Sequence, residues 1–343
     1  MITEKDDESK YPAKYLILGI ICILLLAVAT FVRYEMRKTV PTRSMVGQVV
    51  LRLGYRPRTL ADPTPAVIKE LFPPASLKIE LVPVSTVADG FVKLSTGEID
   101  GFAGVPLEAI FQQIANPQMK TPFYAYALSV DRSGDEWVSM VARKGSGIQK
   151  LSDAAGKVVA CAPTDQAEYL TRQILLANGV PADQIRIVRH NPQNPLLGFR
   201  SGEYDMILSA EPIISLALAE GASIVARGPI SKYLFDGADV PVAASILTES
   251  FSKAHPETLK TLGDLVLNAT ALMRKTPEKT REIFGRSEYG GLSPEIRARF
   301  AFAIMVRADS STTSGLKLFA DRLFRDGVLK NPVDVARLFP PQP

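Results

Sequence analysis

The feature that most constrains the fold is a weak internal repeat, offset by about 105 residues along the chain. Gly97-Glu98-Ile99-Asp100 leads into GFAGV and Pro106, and Gly202-Glu203-Tyr204-Asp205 leads into MILSA and Pro212. In each copy a glycine ends a helical pattern, a short apolar strand follows, and a proline stands where a new helix would begin. Upstream the order matches again. Strand-like VVLRLG (49–54) precedes IELVPV (79–84), and KVVACA (157–162) precedes IRIVRH (185–190). Each copy reads strand, helix, strand, helix, strand, a pattern that favours a parallel sheet with helices on both faces. Two similar α/β lobes are predicted.

The lobes are not simply consecutive. After the second copy, ASIVARG (222–228) and PVAASIL (241–247) read as strands, and a long helical region runs from about His255 to Phe339. Its apolar positions, such as Leu259, Leu262, Val266 and Ala269, follow helical spacing. These helices have no sheet of their own to cover, so they are expected to return to the first lobe. The expected division is 48–138 for lobe one, 139–242 for lobe two and 243–343 for the return. The chain would then cross between lobes near Trp137–Arg143 and near Asp239–Ser245. Two crossings make a hinge, and hinged lobes enclose a ligand-sized cleft.

The N-terminus carries a separate signal. Residues 15–32, YLILGIICILLLAVATFV, run without a charge and are near the lower limit for one membrane-spanning helix. They read as a retained signal-anchor after a cytoplasmic tail (1–14) and before a linker (33–47), or as a signal peptide cut after Ala27-Val28-Ala29. Phe31 and Val32 continue the apolar run past that cut, which favours the anchor. Ile21 before Cys22 does not fit a lipoprotein site.

Composition removes other classes. The net charge is +4, and residues 1–47, with seven Lys or Arg against five Asp or Glu, hold half of that excess. The remainder lacks the dense basic face that nucleic acid requires, so no nucleic-acid partner is expected. Two cysteines, Cys22 and Cys161, permit neither a disulfide within the folded part nor a cysteine-rich zinc site. His190 and His255 are the whole histidine complement, and no Gly-rich phosphate loop, HExxH or GxSxG arrangement occurs. No cofactor, no metal and no catalytic group are expected.

The stretch VARKGSGIQKLSDAAGKVVACAPTDQAEYLTRQILLANGVPADQIRIV (141–188) resembles the second-lobe opening of periplasmic substrate-binding proteins of ABC importers. The nitrate, sulfonate, taurine and thiamine-precursor binding subgroup is the most similar. The residues that carry the likeness are Lys144-Gly145-Ser146, Leu151-Ser152-Asp153, Gly156-Lys157 and Thr164-Asp165-Gln166. SAEPIISLALAEGA (209–222) is similar to the later strand-to-helix turn, and FSKAHPETLKTLGDLVLNA (251–269) to the start of the C-terminal helices. The resemblance implies a two-lobed type II periplasmic-binding-protein fold and a monomer that delivers a small polar or anionic solute to permease subunits at the extracytoplasmic face of a bacterial inner membrane. The short, Pro-rich YRPRTLADPTPA loop and the retained anchor depart from the common pattern. Two rival readings share the fold: a membrane-anchored ligand sensor, and an enzyme of cofactor-precursor biosynthesis, for which His190 is the candidate reactive group.

In open α/β sheets, ligands sit beyond the carboxyl ends of the strands, where helix N-termini present free N–H groups. Four turns are therefore expected at the cleft: Tyr55-Arg56, Gly104-Val105-Pro106, Thr164-Asp165-Gln166, and Ala210-Glu211-Pro212. Arg56 or Arg58 is suited to fork onto a carboxylate, sulfonate or phosphate. Thr164 and Gln166 either bind solute or cap their helix, and Asp165 suits the helix dipole with no ligand at all. Glu211 would repel an anion; it contacts an amino group or forms an interlobe pair. Trp137, Tyr124 and Tyr126 flank the first crossing and either stack on a planar solute or pack in the core.

Overall fold

The computed structural model describes residues 48–341 except 58–60, 73, 75, 117, 119–120, 193 and 287–291. The tail, anchor and linker expected over residues 1–47, and Arg58, lie outside the described residues. No described helix is long and apolar enough to cross a membrane.

Two sheets organise residues 48–341. Lobe one is built on β1 (Val49–Tyr55), β2 (Leu77–Pro83), β3 (Gly101–Pro106) and β4 (Phe123–Asp131). Lobe two follows with β5 (Val138–Ala142), β6 (Val158–Cys161), β7 (Arg186–Arg189), β8 (Met206–Ala210) and β9 (Ser223–Arg227). The chain then returns through β10 (Val240–Thr248) and β11 (Ile304–Arg307). The sheet orders are β11-β4-β10-β3-β1-β2 and β7-β6-β8-β5-β9. In each lobe the repeat supplies a parallel trio: β2-β1-β3 in one and β7-β6-β8 in the other.

The sheets are mixed rather than parallel throughout. β10 runs antiparallel to β3 and β4, and β5 runs antiparallel to β8 and β9. Both strands are entered from the crossings, β5 without a helix and β10 after the short helix Pro229–Leu234. The crossings occupy 132–137 and 228–239, since β5 already belongs to the second sheet and β10 to the first. Trp137–Arg143 is therefore mostly strand, and so is Asp239–Ser245. Beyond β10, helices Pro256–Lys275 and Thr313–Arg325 pack on the six-stranded sheet. The helical expectation for 255–339 missed β11, which adds to β4 at the sheet edge.

The repeat has a physical basis. Gly97 and Gly202 both cap a helix in the left-handed conformation, at φ +71° and +80°, which residues with a Cβ adopt at a cost. Asp100 then takes the Arg52 backbone N–H and, through both oxygens, the Arg52 guanidinium at 2.6–2.9 Å. Asp205 takes the Val158 N–H at 3.3 Å and the Arg143 guanidinium at 2.9 Å. Each acid thus ties the start of its strand to the central strand of its parallel trio, β1 in one lobe and β6 in the other. Leu51, Leu53, Ile99, Phe102 and Val105 bury the sheet face beside it, each worth about 1.5–3 kcal/mol.

Candidate functional site

The two crossings are fastened to each other. Asp131 ends β4 and accepts the Ser231 N–H at 2.7 Å, at the helix Pro229–Leu234 of the second crossing. Ser133 N–H donates to Ser231 Oγ at 3.1 Å. Gly228 lies so close that a Cβ there would overlap the Arg132 carbonyl. Burial pushes the Asp131 carboxyl up to about 7, with Asp135 and Asp239 adding repulsion against the Ser231 and Ile230 N–H groups. Trp137 is buried, and its indole N–H donates to the Val130 carbonyl at 2.9 Å. Its place is the hinge core. Tyr124 does not flank the crossing: it lies at the far end of β4, where its hydroxyl donates to Glu249 at 2.7 Å.

The carboxyl ends of β1 and β3 and the hinge end of β4 form the lobe-one wall. Tyr55 ends β1. Arg56 follows it and donates from Nη2 to the Gly104 carbonyl at 3.0 Å. The Gly104 N–H donates to Ser245 Oγ at 2.9 Å, and Ser245 Oγ donates to Asp62 at 2.5 Å. Asp62 also accepts from the Thr64 N–H at 2.9 Å and its hydroxyl at 2.6 Å. Burial raises the Asp62 carboxyl, against the Ser245 and Thr64 hydrogen bonds that lower it. The Tyr126 hydroxyl, buried beside Asp62 and Ser245, makes no hydrogen bond of ordinary geometry. Val105 is fully buried and pairs with Ala244, and Pro106 leads into the helix Leu107–Ala115.

Lobe two presents the helix Asp165–Ala177 to that wall. Thr164 caps it, accepting the Ala167 N–H at 3.1 Å. Asp165 is exposed and pairs with Arg189 at 2.5 Å. Gln166 faces lobe one instead. Its N–H donates to Glu108 Oε2 at 2.9 Å, its Oε1 accepts the Glu108 N–H at 2.9 Å, and its Nε2 donates to the Val242 carbonyl at 3.2 Å. Burial raises the Glu108 carboxyl; the Gln166 N–H lowers it, Asp165 repels and Arg189 attracts.

Glu211 closes the second contact. It is 2 % exposed and accepts from Ser215 Oγ at 2.9 Å, the Ser215 N–H at 3.2 Å and, across the cleft, the Ala301 N–H at 3.2 Å. Burial pushes its carboxyl up to about 7, opposed by those donors. The Ala301 bond is an interlobe hydrogen bond to backbone, where the sequence suggested an ion pair or a solute amine. A third contact joins Tyr169 of lobe two to Arg322 at 3.3 Å on the helix Thr313–Arg325 and to Asp326, which caps that helix, at 2.5 Å.

Sequence reasoning missed Glu108, Asp62 and Ser245. Glu108 reads as an ordinary first-turn acid after Pro106, and Asp62-Pro63-Thr64 as a turn. His190 is buried: burial lowers its pKa, and Nδ1 lies 3.2 Å from the Asn191 carbonyl. The His255 ring packs against Phe251 at 4.9 Å and a 58° tilt where the helix Pro256–Lys275 begins. A groove of about 530 Å³ beside β11 takes no residue from lobe two, so the candidate site is the cleft rather than this groove.

Residues 135–280 match the family model described as NMT1/THI5 like, so the resemblance read from 141–188 holds over this region. No curated protein matches the chain. Among solved structures, the alkanesulfonate-binding protein of Xanthomonas axonopodis pv. citri, bound to MOPS, superposes with a TM-score of 0.65 at 18% identity, covering 84% of this chain and 97% of that one. The periplasmic aliphatic sulphonate binding protein of Escherichia coli gives 0.66 at 16%, covering 85% and 92%. The periplasmic nitrate-binding protein of Synechocystis PCC 6803 gives 0.63 at 13%, covering 85% and 84%. At these identities the likeness establishes the fold, two α/β lobes of the periplasmic-binding-protein kind.

Proposed function

We propose that this chain is an extracytoplasmic solute-binding protein that captures a small polar or anionic organic solute for the permease of an ABC importer. The observation that carries the reading is the meeting of the lobes through residues of opposite walls, Glu108 with Gln166 and Glu211 with Ala301, between hinge strands that belong to different sheets. Such an arrangement lets both walls contact one small molecule only when shut, so binding favours closure. The sulfonate- and nitrate-binding character of its structural neighbours supports the solute class.

In this reading Tyr55, Arg56, Gly104, Val105 and Pro106 supply the lobe-one face, and Thr164, Asp165, Gln166 and Glu211 the lobe-two face. Trp137 sits in the hinge. Residues 15–32 hold the monomer at the membrane surface. Thermal melting of the full chain with sulfonates, nitrate, amino acids and pyrimidines tests the reading, because a ligand that binds only the folded state raises the melting point. A rise of several degrees with one class supports it. No rise with any class moves the weight to a sensor with a macromolecular partner.

A further inference from the structure

Glu108 stands in the first turn of a lobe-one helix and Gln166 in the first turn of a lobe-two helix. Backbone N–H groups in a first turn have no partner within their own helix. Here each of the two is satisfied by the other residue's side chain, at 2.9 Å in both directions. The pair is buried, at 4 % and 8 % exposure. Gln166 is fixed further by its bond to the Val242 carbonyl, on the hinge side of β10. Gln112, one turn along the same helix, donates to the other Glu108 oxygen. No Lys or Arg is hydrogen-bonded to this carboxylate among the described residues; Arg189 attracts it from lobe two and Asp165 repels it.

A buried carboxylate is tolerated where N–H donors replace water. The donor that crosses the cleft is the Gln166 N–H, at a helix N-terminus, which is also where an anionic solute group would be drawn. The protein therefore fills that position with its own carboxylate when the lobes meet.

We propose that Glu108 and Gln166 form an intramolecular latch that holds the lobes together, and that an anionic solute group enters by displacing the Glu108 carboxylate from the Gln166 N–H. The first half stands on the contact alone; the second rests on the solute-binding reading. A solute then competes with the latch, and its apparent affinity is reduced by the latched fraction. Glu108 becomes a residue that sets specificity: a weak anion does not open the cleft, while one with further contacts to both walls does.

The test is an interlobe distance measured by paired spin labels in the full chain. Val92 (58 % exposed, lobe one) and Leu197 (54 % exposed, lobe two) take the labels as cysteines, Cys22→Ser removes a competing thiol, and Cys161 is fully buried. Glu108→Ala and Gln166→Ala are each expected to add a longer-distance population, with the open-to-closed ratio rising about tenfold for loss of a charge-assisted pair. Glu108→Gln keeps the shape and gives a smaller change, which serves if the alanine variant does not fold. Distance distributions unchanged in Gln166→Ala and Glu108→Gln would overturn the latch. Titration with ethanesulfonate decides the displacement half: Glu108→Ala is expected to bind about tenfold more tightly than the parent chain. Equal or weaker binding in Glu108→Ala, once its distances show it opened, overturns displacement. If ethanesulfonate binds neither protein, the displacement half fails, while the melting panel decides the solute-binding reading separately and the distance measurement decides the latch.

Discussion

Arg132 and Asp239 join the two crossings through both carboxylate oxygens, with contacts of 2.5–3.1 Å. The pair is half-exposed, so the hinge is held mainly by its buried contacts. Arg132→Ala is expected to cost only about 0.2–1 kcal/mol in urea unfolding. Gly228→Val puts a branched side chain against the Arg132 carbonyl and is expected to cost several times more, with loss of cooperative unfolding.

Trp137 separates packing from hydrogen bonding at the same hinge. Trp137→Phe keeps most of the ring and leaves the Val130 carbonyl without its indole donor, at about 1 kcal/mol. Trp137→Ala opens a cavity beside β4 and costs about 3–5 kcal/mol. Equal losses in the two variants would place Trp137 outside the core.

Glu211 fixes a pH dependence. Its folded carboxyl lies at about 7 against an ordinary 4.5, through burial. The folded state therefore binds more protons than the unfolded chain between those values, and stability falls as pH rises through that window. Lowered acids such as Asp239 act in the opposite direction. The difference between the parent chain and Glu211→Gln isolates the term: the parent loses more stability than the variant between pH 5 and 7.5. Parallel profiles would contradict the burial of Glu211.

Asp100 and Asp205 test the repeat. Asp100→Ala leaves the Arg52 N–H without its acceptor, and Asp205→Ala does the same to Val158. Each is expected to cost about 1–3 kcal/mol. The Asp100 variant loses more, since Arg52 makes two side-chain bonds to it and Arg143 one to Asp205.

The repeat is legible because two of its residues act locally: glycine at the cap and proline at the next helix each serve a backbone need within one turn. The aspartate recurs for a non-local reason, since Asp100 binds Arg52 and Asp205 binds Val158, 48 and 47 positions earlier. β11 was hidden inside a helical region because Ile304–Arg307 is a short edge strand whose partner, β4, lies far back in the chain. The cleft was legible only as a set of turns. Thr164 and Gln166 read as helix-opening residues, but Glu108 meets Gln166 only through the fold, 58 positions away. In the sequence Glu211 stands only as a charge that would repel an anion, and its Ala301 donor depends on where the C-terminal segment lies. Periodicity and caps reveal elements; contacts between lobes depend on their docking.

The central claim is that one small solute binds between the lobes, and titration calorimetry of the full chain measures it most directly. With the solute class that raises the melting point, the account predicts saturation at one molecule per chain, a negative heat-capacity change as the walls close, and at least a tenfold weaker fit for Arg56→Ala, roughly the loss of one charged contact. Saturable binding that is unchanged in both Arg56→Ala and Gln166→Ala, or no binding by a cooperatively folded chain, would contradict it.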